Sequence, residues 1–375
     1  MDAEFVIVGG GVHGLATAYH LALGGAASVT VLEAGVVASG ASGGFGERGV
    51  RANRRDLREL PLMAEANSLW PTLHEELGAP TGYRRTGGVY LIDGPASTGF
   101  KGLDAAEVYA KAHRGLGVVA EVWDRRRVER EYPGISPAVQ GASFVQTDGV
   151  ASHAKTTEAY AQAARRLGVQ VVEQTHVADL EVDAAGRVRA VITAQGERIR
   201  VGREVLLANN TGVRDLVLAA AGQELPLWSV YPQALRLRSL VAPQIPMLTG
   251  HETRPLSVKV LGDELMLSGG WRGRATPAGG VPDEERIRGN IAVLEAVFPY
   301  LTGLEVVDAD VSRAESASVD QIPIIGRCGP NLSVATGWSG HGWAIAPVVA
   351  RHLATMLLHD SRSALLAPFS PDRFH

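Results

Sequence analysis

Apolar positions along the chain fall into two alternating patterns, short continuous runs and helical stripes. Glu4–Val8 (EFVIV) is a short apolar run, the pattern of a strand buried on both faces. His13–Leu23 follows with Leu15, Ala18, Tyr19 and Ala22 on one helical face, and a second run, Ser28–Leu32, ends at Glu33. Near the other end, Leu332–Gly337 predicts a strand closing on a glycine, then a helix from about Ala346 to Leu358. Thr156–Leu167 predicts a further helix with a strand containing Val177 after it. Leu256–Leu261 and Glu264–Ser268 alternate around Gly262-Asp263 and predict a hairpin. This order predicts an α/β fold with a doubly wound, Rossmann-type sheet.

The junction after the first strand carries chemistry. Gly9-Gly10-Gly11-Val12-His13-Gly14 is G-x-G-x-x-G at Gly9, Gly11 and Gly14. The first glycine permits a tight turn and the second lets backbone approach a pyrophosphate. The third lets the helix pack close to the sheet, so that its N-terminal N–H groups face the phosphates. An acid at the end of the second strand suits a ribose, and Glu33, followed by Ala34, stands there. Within the motif, His13 reads as a solvated helix residue rather than a catalyst. The motif does not separate NAD from FAD. The far end does, because Trp338-Ser339-Gly340-His341-Gly342-Trp343 forms a second Gly-rich strand-to-helix junction. A cofactor with two ends needs two such junctions, and the second helix N-terminus favours negative charge.

Composition narrows the rest. The 375 residues suffice for two packed units, and 46% hydrophobic with 20% charged residues is ordinary for a soluble protein. A net charge of −4 leaves no electrostatic footprint for nucleic acid or an anionic membrane. No CxxC, HExxH or Asp-rich loop offers a metal site. The single cysteine, Cys328, excludes an internal disulfide and fits a reducing compartment. With neither a signal-peptide pattern nor a membrane-length apolar run, the expected location is cytoplasmic.

VIVGGGVHGLATAYHLA near the start and DQIPIIG…VATGWSGHGW near the end resemble the D-amino-acid oxidase superfamily, in particular its sarcosine oxidase and glycine oxidase branch. The resemblance covers most of the chain. It implies FAD and oxidation of the C–N bond of a small amine or amino acid by hydride transfer to the flavin N5, and because Arg313 stands where a cysteine tethers FAD in those relatives, the FAD is expected to be non-covalent. It implies a discontinuous FAD domain (1–82, 146–218 and 320–375) and an inserted substrate domain (83–145 and 219–319) on a large mixed or antiparallel sheet. Ala38–Gly46, which by composition looks like a linker, becomes a loop over the cofactor, with Ser39, Ala41, Ser42 and Gly43 against it. Val177 is placed by adenine, and Gly337, Trp338, Ser339, Gly340, His341 and Gly342 by the flavin ring.

The same resemblance assigns the reacting end. Arg48 would lie near the ring and Arg51 would grip a substrate carboxylate through two parallel hydrogen bonds; the bland alternative is a solvated basic run with Arg54, Arg55 and Arg58. His341 tunes the flavin or contacts substrate, or else only structures its loop. Trp338 and Trp343 stand where relatives often have Phe and would narrow the pocket, while Tyr231 and Trp271 are wall or core residues. Three departures limit the analogy. Ala344 stands where a lysine helps hold the carboxylate, and Arg313 where a cysteine tethers FAD. Glu315 stands where an arginine binds the carboxylate; inside the pocket it would attract a cation, and out of register it would be exposed. The strand matching the one that bears an oxygen-activating lysine, Glu264–Trp271, has none, and Lys259 lies on the preceding strand. The electron acceptor therefore stays open between O2 and another. His153 resembles the residue that carries FMN in β subunits of heterotetrameric sarcosine oxidases, although a surface histidine at a helix start is the commoner reading. Alternatives are an FAD-dependent 2-hydroxy-acid dehydrogenase with His341 as base, or a β-type subunit with partner subunits.

Overall fold

The computed structural model describes residues 2–43, 46–94 and 102–374. Its first strand, Asp2–Val8, sits inside an eight-stranded sheet, parallel to Val29–Leu32 on one side and to Arg198–Leu207 on the other. Gln170–Val172 and Leu332–Thr336 extend the parallel part outwards, and Ile324–Gly329 closes one edge antiparallel. Val177–Val182 and Val188–Thr193 hang antiparallel from Arg198–Leu207. Both faces of this sheet are covered. Helices Val12–Leu23, His153–Arg166 and Gly342–His359 pack on one face, and Val213–Ala221 on the other. Double coverage explains why Phe5–Val8 and Val29–Leu32 are buried throughout and read as continuous apolar runs.

A second eight-stranded sheet has the order Glu305–Asp310, Ala234–Arg238, Glu264–Ser268, Ser257–Leu261, Leu248–His251, Gly88–Asp93, Val139–Val145, Ala120–Asp124. It is antiparallel except between Leu248–His251 and Gly88–Asp93. One face buries Val89, Leu91, Val258 and Leu267 under helix Glu284–Val297, and the alternate residues Tyr90, Lys259, Met266 and Ser268 point the other way, into a cavity. The hairpin around Gly262, at φ +65°, forms as the alternation predicts.

Two elements start earlier than the pattern predicts. The last helix begins at Gly342 rather than Ala346, because Gly342-Trp343-Ala344 carry no periodic signal. The helix expected from Thr156 begins at His153, where the Ser152 hydroxyl accepts from the Lys155 N–H at 3.3 Å as an N-cap. The carboxyl ends of Asp2–Val8, Arg198–Leu207 and Leu332–Thr336 all open on one crevice, the usual ligand position in such sheets.

Candidate active site

The turn after Asp2–Val8 is shaped by close approaches. Gly9 has φ +112°, and a Cβ there would meet the Ala208 carbonyl oxygen at 2.6 Å. A Cβ on Gly14 would run into the Gly9 carbonyl, so the third glycine serves helix packing. The Gly10 N–H donates to Glu33 at 2.7 Å and the Gly35 N–H to its other carboxylate oxygen at 2.8 Å, which orients Glu33 at the strand end. Gly11 is different: a Cβ there would meet no described atom within 4 Å, and no described side chain caps the helix that starts behind it. Backbone N–H groups at the positive end of a helix thus border open space, an anion cradle.

That space belongs to a cavity of about 800 Å³. It runs from Gly9, Gly11, Val12 and His13, with Glu33, Ala34 and Val177 at one end, past Ala41, Ser42 and Gly43. It then passes Trp338, Ser339, Gly340, His341, Gly342 and Trp343 and reaches Arg48, Arg51, Trp271 and Glu315 at the second sheet. Four expected residues stand outside it. Gly14 packs as described, and Gly337 (φ +69°) turns the chain against Leu227. The Ser39 hydroxyl is turned back onto the Val36 carbonyl at 2.7 Å. Tyr231 packs its ring over Gly280, while its neighbours Val230 and Pro232 line the cavity. Of the expected loop Ala38–Gly46, Gly44 and Phe45 lie outside the described residues.

His13 corrects its expected solvation. It is buried and stacked on Trp338, with ring centroids 3.5 Å apart and planes within 10°, so the two Gly-rich junctions touch through these rings. Burial pushes its imidazole down to about 3 and keeps it neutral. His153 is half-buried at the first position of its helix. It lines the cavity 5.3 Å from the Trp343 ring, and burial holds it near about 4.

Glu315 is buried on strand Glu315–Ser318. One carboxylate oxygen accepts from the Ser42 hydroxyl at 3.0 Å and the other from the Gly340 N–H, so it ties together the two small-residue segments along the cavity. Burial raises its pKa, against the pull of those two hydrogen bonds and of Arg48. Arg48 donates to the Ser42 carbonyl at 2.9 Å. Burial lowers it to about 10, opposed by Asp310 and Glu315, and it stays charged at neutral pH.

The basic run is not solvated. Arg55 is buried and paired with buried Glu59 at 3.1 Å, Arg54 pairs with Glu252, and only Arg58 is largely exposed. The Arg51 guanidinium donates to the Asn53 carbonyl and lies 5.2 Å over the Tyr90 ring. His341 caps the last helix with Nδ1 3.7 Å from the Glu59 carboxylate, too far for a hydrogen bond. Burial, with Arg55 and Arg51 nearby, pushes it down to about 3. At neutral pH the ring is therefore uncharged.

Several lining residues escaped the sequence pattern. Tyr90 and Lys259 alternate with core residues on sheet strands and look like ordinary strand positions. His251 and Arg254 share Asp93, at 3.1 and 2.8 Å, beside the same cavity. Asn209 and Asn210 follow a buried strand, and Asn210 at φ +57° accepts from the Ser316 N–H at 2.8 Å. Polar residues directly after a buried parallel strand were a signal that could have marked this pair.

Known proteins share this design. The chain is 29% identical to the sarcosine oxidase β subunit of an Arthrobacter species, over 99% of this chain and 91% of that one. Among solved structures, an L-proline dehydrogenase from P. horikoshii superposes with a TM-score of 0.87 at 24% identity, covering 100% of this chain and 98% of the other. A glycine oxidase from Geobacillus kaustophilus superposes with a TM-score of 0.83 at 24% identity, covering 98% of each chain. The family model described as FAD dependent oxidoreductase, DAO, matches residues 4–356, so the chain belongs to that family and is an FAD-dependent oxidoreductase.

Proposed function

We propose that the chain oxidises the C–N bond of a small amine or amino acid carrying a carboxylate, with FAD held non-covalently. The observation that carries this reading is the single cavity joining the Gly9–Gly11 cradle to a wall with Arg51 and Lys259. The residues present fit FAD. Gly11 leaves room where a pyrophosphate would meet helix N–H groups, and Glu33 is held by two backbone donors where a ribose would reach it. Ala41–Gly43 and Ser339–Gly342 supply small residues along the middle of the cavity, and Val177 borders its far end. Bound FAD supplies the two-electron acceptor for the substrate C–H next to nitrogen.

The chain's own residues bind and orient. Arg51 takes the carboxylate, its guanidinium braced by Tyr90 and the Asn53 carbonyl. Trp271 and Trp343 line the cavity; the Trp271 Nε1–H is anchored on the Pro255 carbonyl at 2.8 Å. Charged Arg48 lies between Ser42 and Glu315, where negative charge developing in the cavity would be stabilised. The amine must enter neutral, since an ammonium has no lone pair to support hydride loss, and no strong base is needed. Oxidation of a 2-hydroxy acid would instead need a base for the hydroxyl proton, the role His341 would have to fill.

No helix among the described residues is long and apolar enough to cross a membrane. The lone thiol of Cys328 supports a reducing, cytoplasmic setting. Resemblance to a β subunit supports partner subunits. Anaerobic addition of secondary amines, amino acids and 2-hydroxy acids to the FAD-loaded protein, read at the flavin absorbance, tests the reading. Bleaching by amino compounds alone is expected; bleaching only by hydroxy acids refutes it, and readmitted air reports whether O2 is the acceptor.

A further inference from the structure

At its reacting end the cavity is lined by more cations than one carboxylate can satisfy. Arg48, Arg51, Arg254, Lys259 and Arg272 face a single carboxylate, Glu315, in a chain whose net charge is −4. Arg254 is answered by Asp93 at 2.8 Å, Arg48 and Glu315 act on one another, and Arg272 is exposed. Arg51 has Asp148 and Glu59 acting on it from behind, and Lys259 remains.

Lys259 is buried, at 7% exposure, and among the described residues no carboxylate lies within ion-pair distance of its amine. Its charged neighbours are Arg48, which repels it, and Glu47, which is already clasped by Arg84 at 2.8 Å. Behind Arg51, the Glu59 carboxylate is held by Arg55, and Asp148 accepts from the backbone of Ala52 at 2.6 Å and Asn53 at 3.2 Å. The undescribed segments 44–45 and 95–101 contain no Asp or Glu. A buried ammonium without a carboxylate against it is costly unless a ligand completes it.

Both cations address one face of the second sheet. Tyr90, under the Arg51 guanidinium, lies opposite Gly250, and Gly250 lies opposite Ser257, two residues before Lys259. Two strand spacings and two residues put the Tyr90 and Lys259 backbones about 12 Å apart. The Arg51 guanidinium over the Tyr90 ring and the Lys259 side chain thus border the same stretch of the cavity. Gly250 keeps this stretch low, because a Cβ there would strike the Tyr90 ring at 2.8 Å.

We propose that the substrate is an amine bearing two acidic groups, one carboxylate held by Arg51 and the second by Lys259. The proposal rests on the amine-oxidation reading and narrows its substrate class. It adds no step to the reaction; the second acid orients the molecule and supplies the counter-charge the fold omits.

The test is equilibrium binding of unreactive acids to the FAD-loaded protein by calorimetry, comparing glutarate and succinate with butyrate. Because nothing turns over, the outcome is separate from whether amines bleach the flavin. A diacid is expected to bind at least tenfold more tightly than butyrate. Lys259→Met should bring the diacid to the butyrate level, while Lys259→Arg keeps most of the preference. Lys259→Gln serves as a second neutral variant should Lys259→Met fail to fold, and the flavin spectrum checks each. Equal affinity for diacid and monoacid in the unaltered protein overturns the proposal, and so does a preference that survives neutralisation of Lys259.

Discussion

Substituting Gly11 and Gly14 separates holding the cofactor from holding the fold. Gly11 sits at φ −79°, ψ 178°, a conformation any residue adopts, and a Cβ there touches no described atom within 4 Å. Gly11→Ala therefore costs the protein itself at most about 1 kcal/mol, the loss of a good N-cap residue. The added methyl projects toward the cradle, where phosphate oxygens would sit about 2.9 Å from backbone nitrogens. Displacing them forfeits one or two charge-assisted hydrogen bonds at about 1.5–3 kcal/mol each, so FAD affinity should fall by about two orders of magnitude. Gly14→Ala places its methyl against the Gly9 carbonyl and must push the helix off the turn, costing about 3 kcal/mol. With an unfolding entropy of about 2.1 cal/mol/K per residue over 375 residues, that lowers Tm by roughly 4 °C. The assay is thermal unfolding of apoprotein with and without added FAD, alongside a flavin-fluorescence titration. Gly11→Ala should melt within about 1 °C of the parent and lose the FAD-induced rise. Unchanged FAD affinity in Gly11→Ala would refute the assignment of this turn to the cofactor.

Three further outcomes are expected. Arg51→Met should raise KM for carboxylated amines by roughly 30-fold, about 2 kcal/mol, while carboxylate-free amines change little; steady-state kinetics on matched pairs decides. Burial, with Arg48 adding to it and Glu47 opposing, lowers Lys259 from its ordinary 10.5 to about 8. Between those two values the unfolded chain binds a proton the folded chain does not, so stability should rise as pH climbs from about 8 towards 10.5. Lys259→Met should stabilise the ligand-free protein at pH 7 by up to about 3 kcal/mol, and a Tm below the parent's would contradict the burial argument. Finally, acid precipitation should release all flavin into solution, because the one cysteine, Cys328, lies outside the cavity with its thiol pushed up by burial to about 12. Flavin retained on the pellet would point to a covalent link, and peptide mapping would show whether His153 carries it.

What the sequence determined by itself was local and periodic. The strand Glu4–Val8, the three glycines, the helix behind them and Glu33 are contiguous, and each role follows from backbone geometry within about 30 residues. The hairpin at Gly262-Asp263 and the Gly-rich junction before the last helix were legible for the same reason. Tertiary structure decided what depended on which face a residue turns and what comes to meet it. His13 reads as a helix-surface residue until Trp338, more than 300 positions away, stacks on it. Tyr231 reads as either cavity wall or core, and Gly280 leaves a slot that takes its ring. Glu315 reads as either exposed or a cation trap, and its partners, Ser42 and Gly340, come from two distant loops. Lys259 is one polar residue in an alternating strand. Only the neighbouring strands, and the absence of a described carboxylate against its amine, give it a charge that a ligand must answer. Period and propensity act between near neighbours, whereas burial and electrostatics sum over everything the fold brings within a few ångströms.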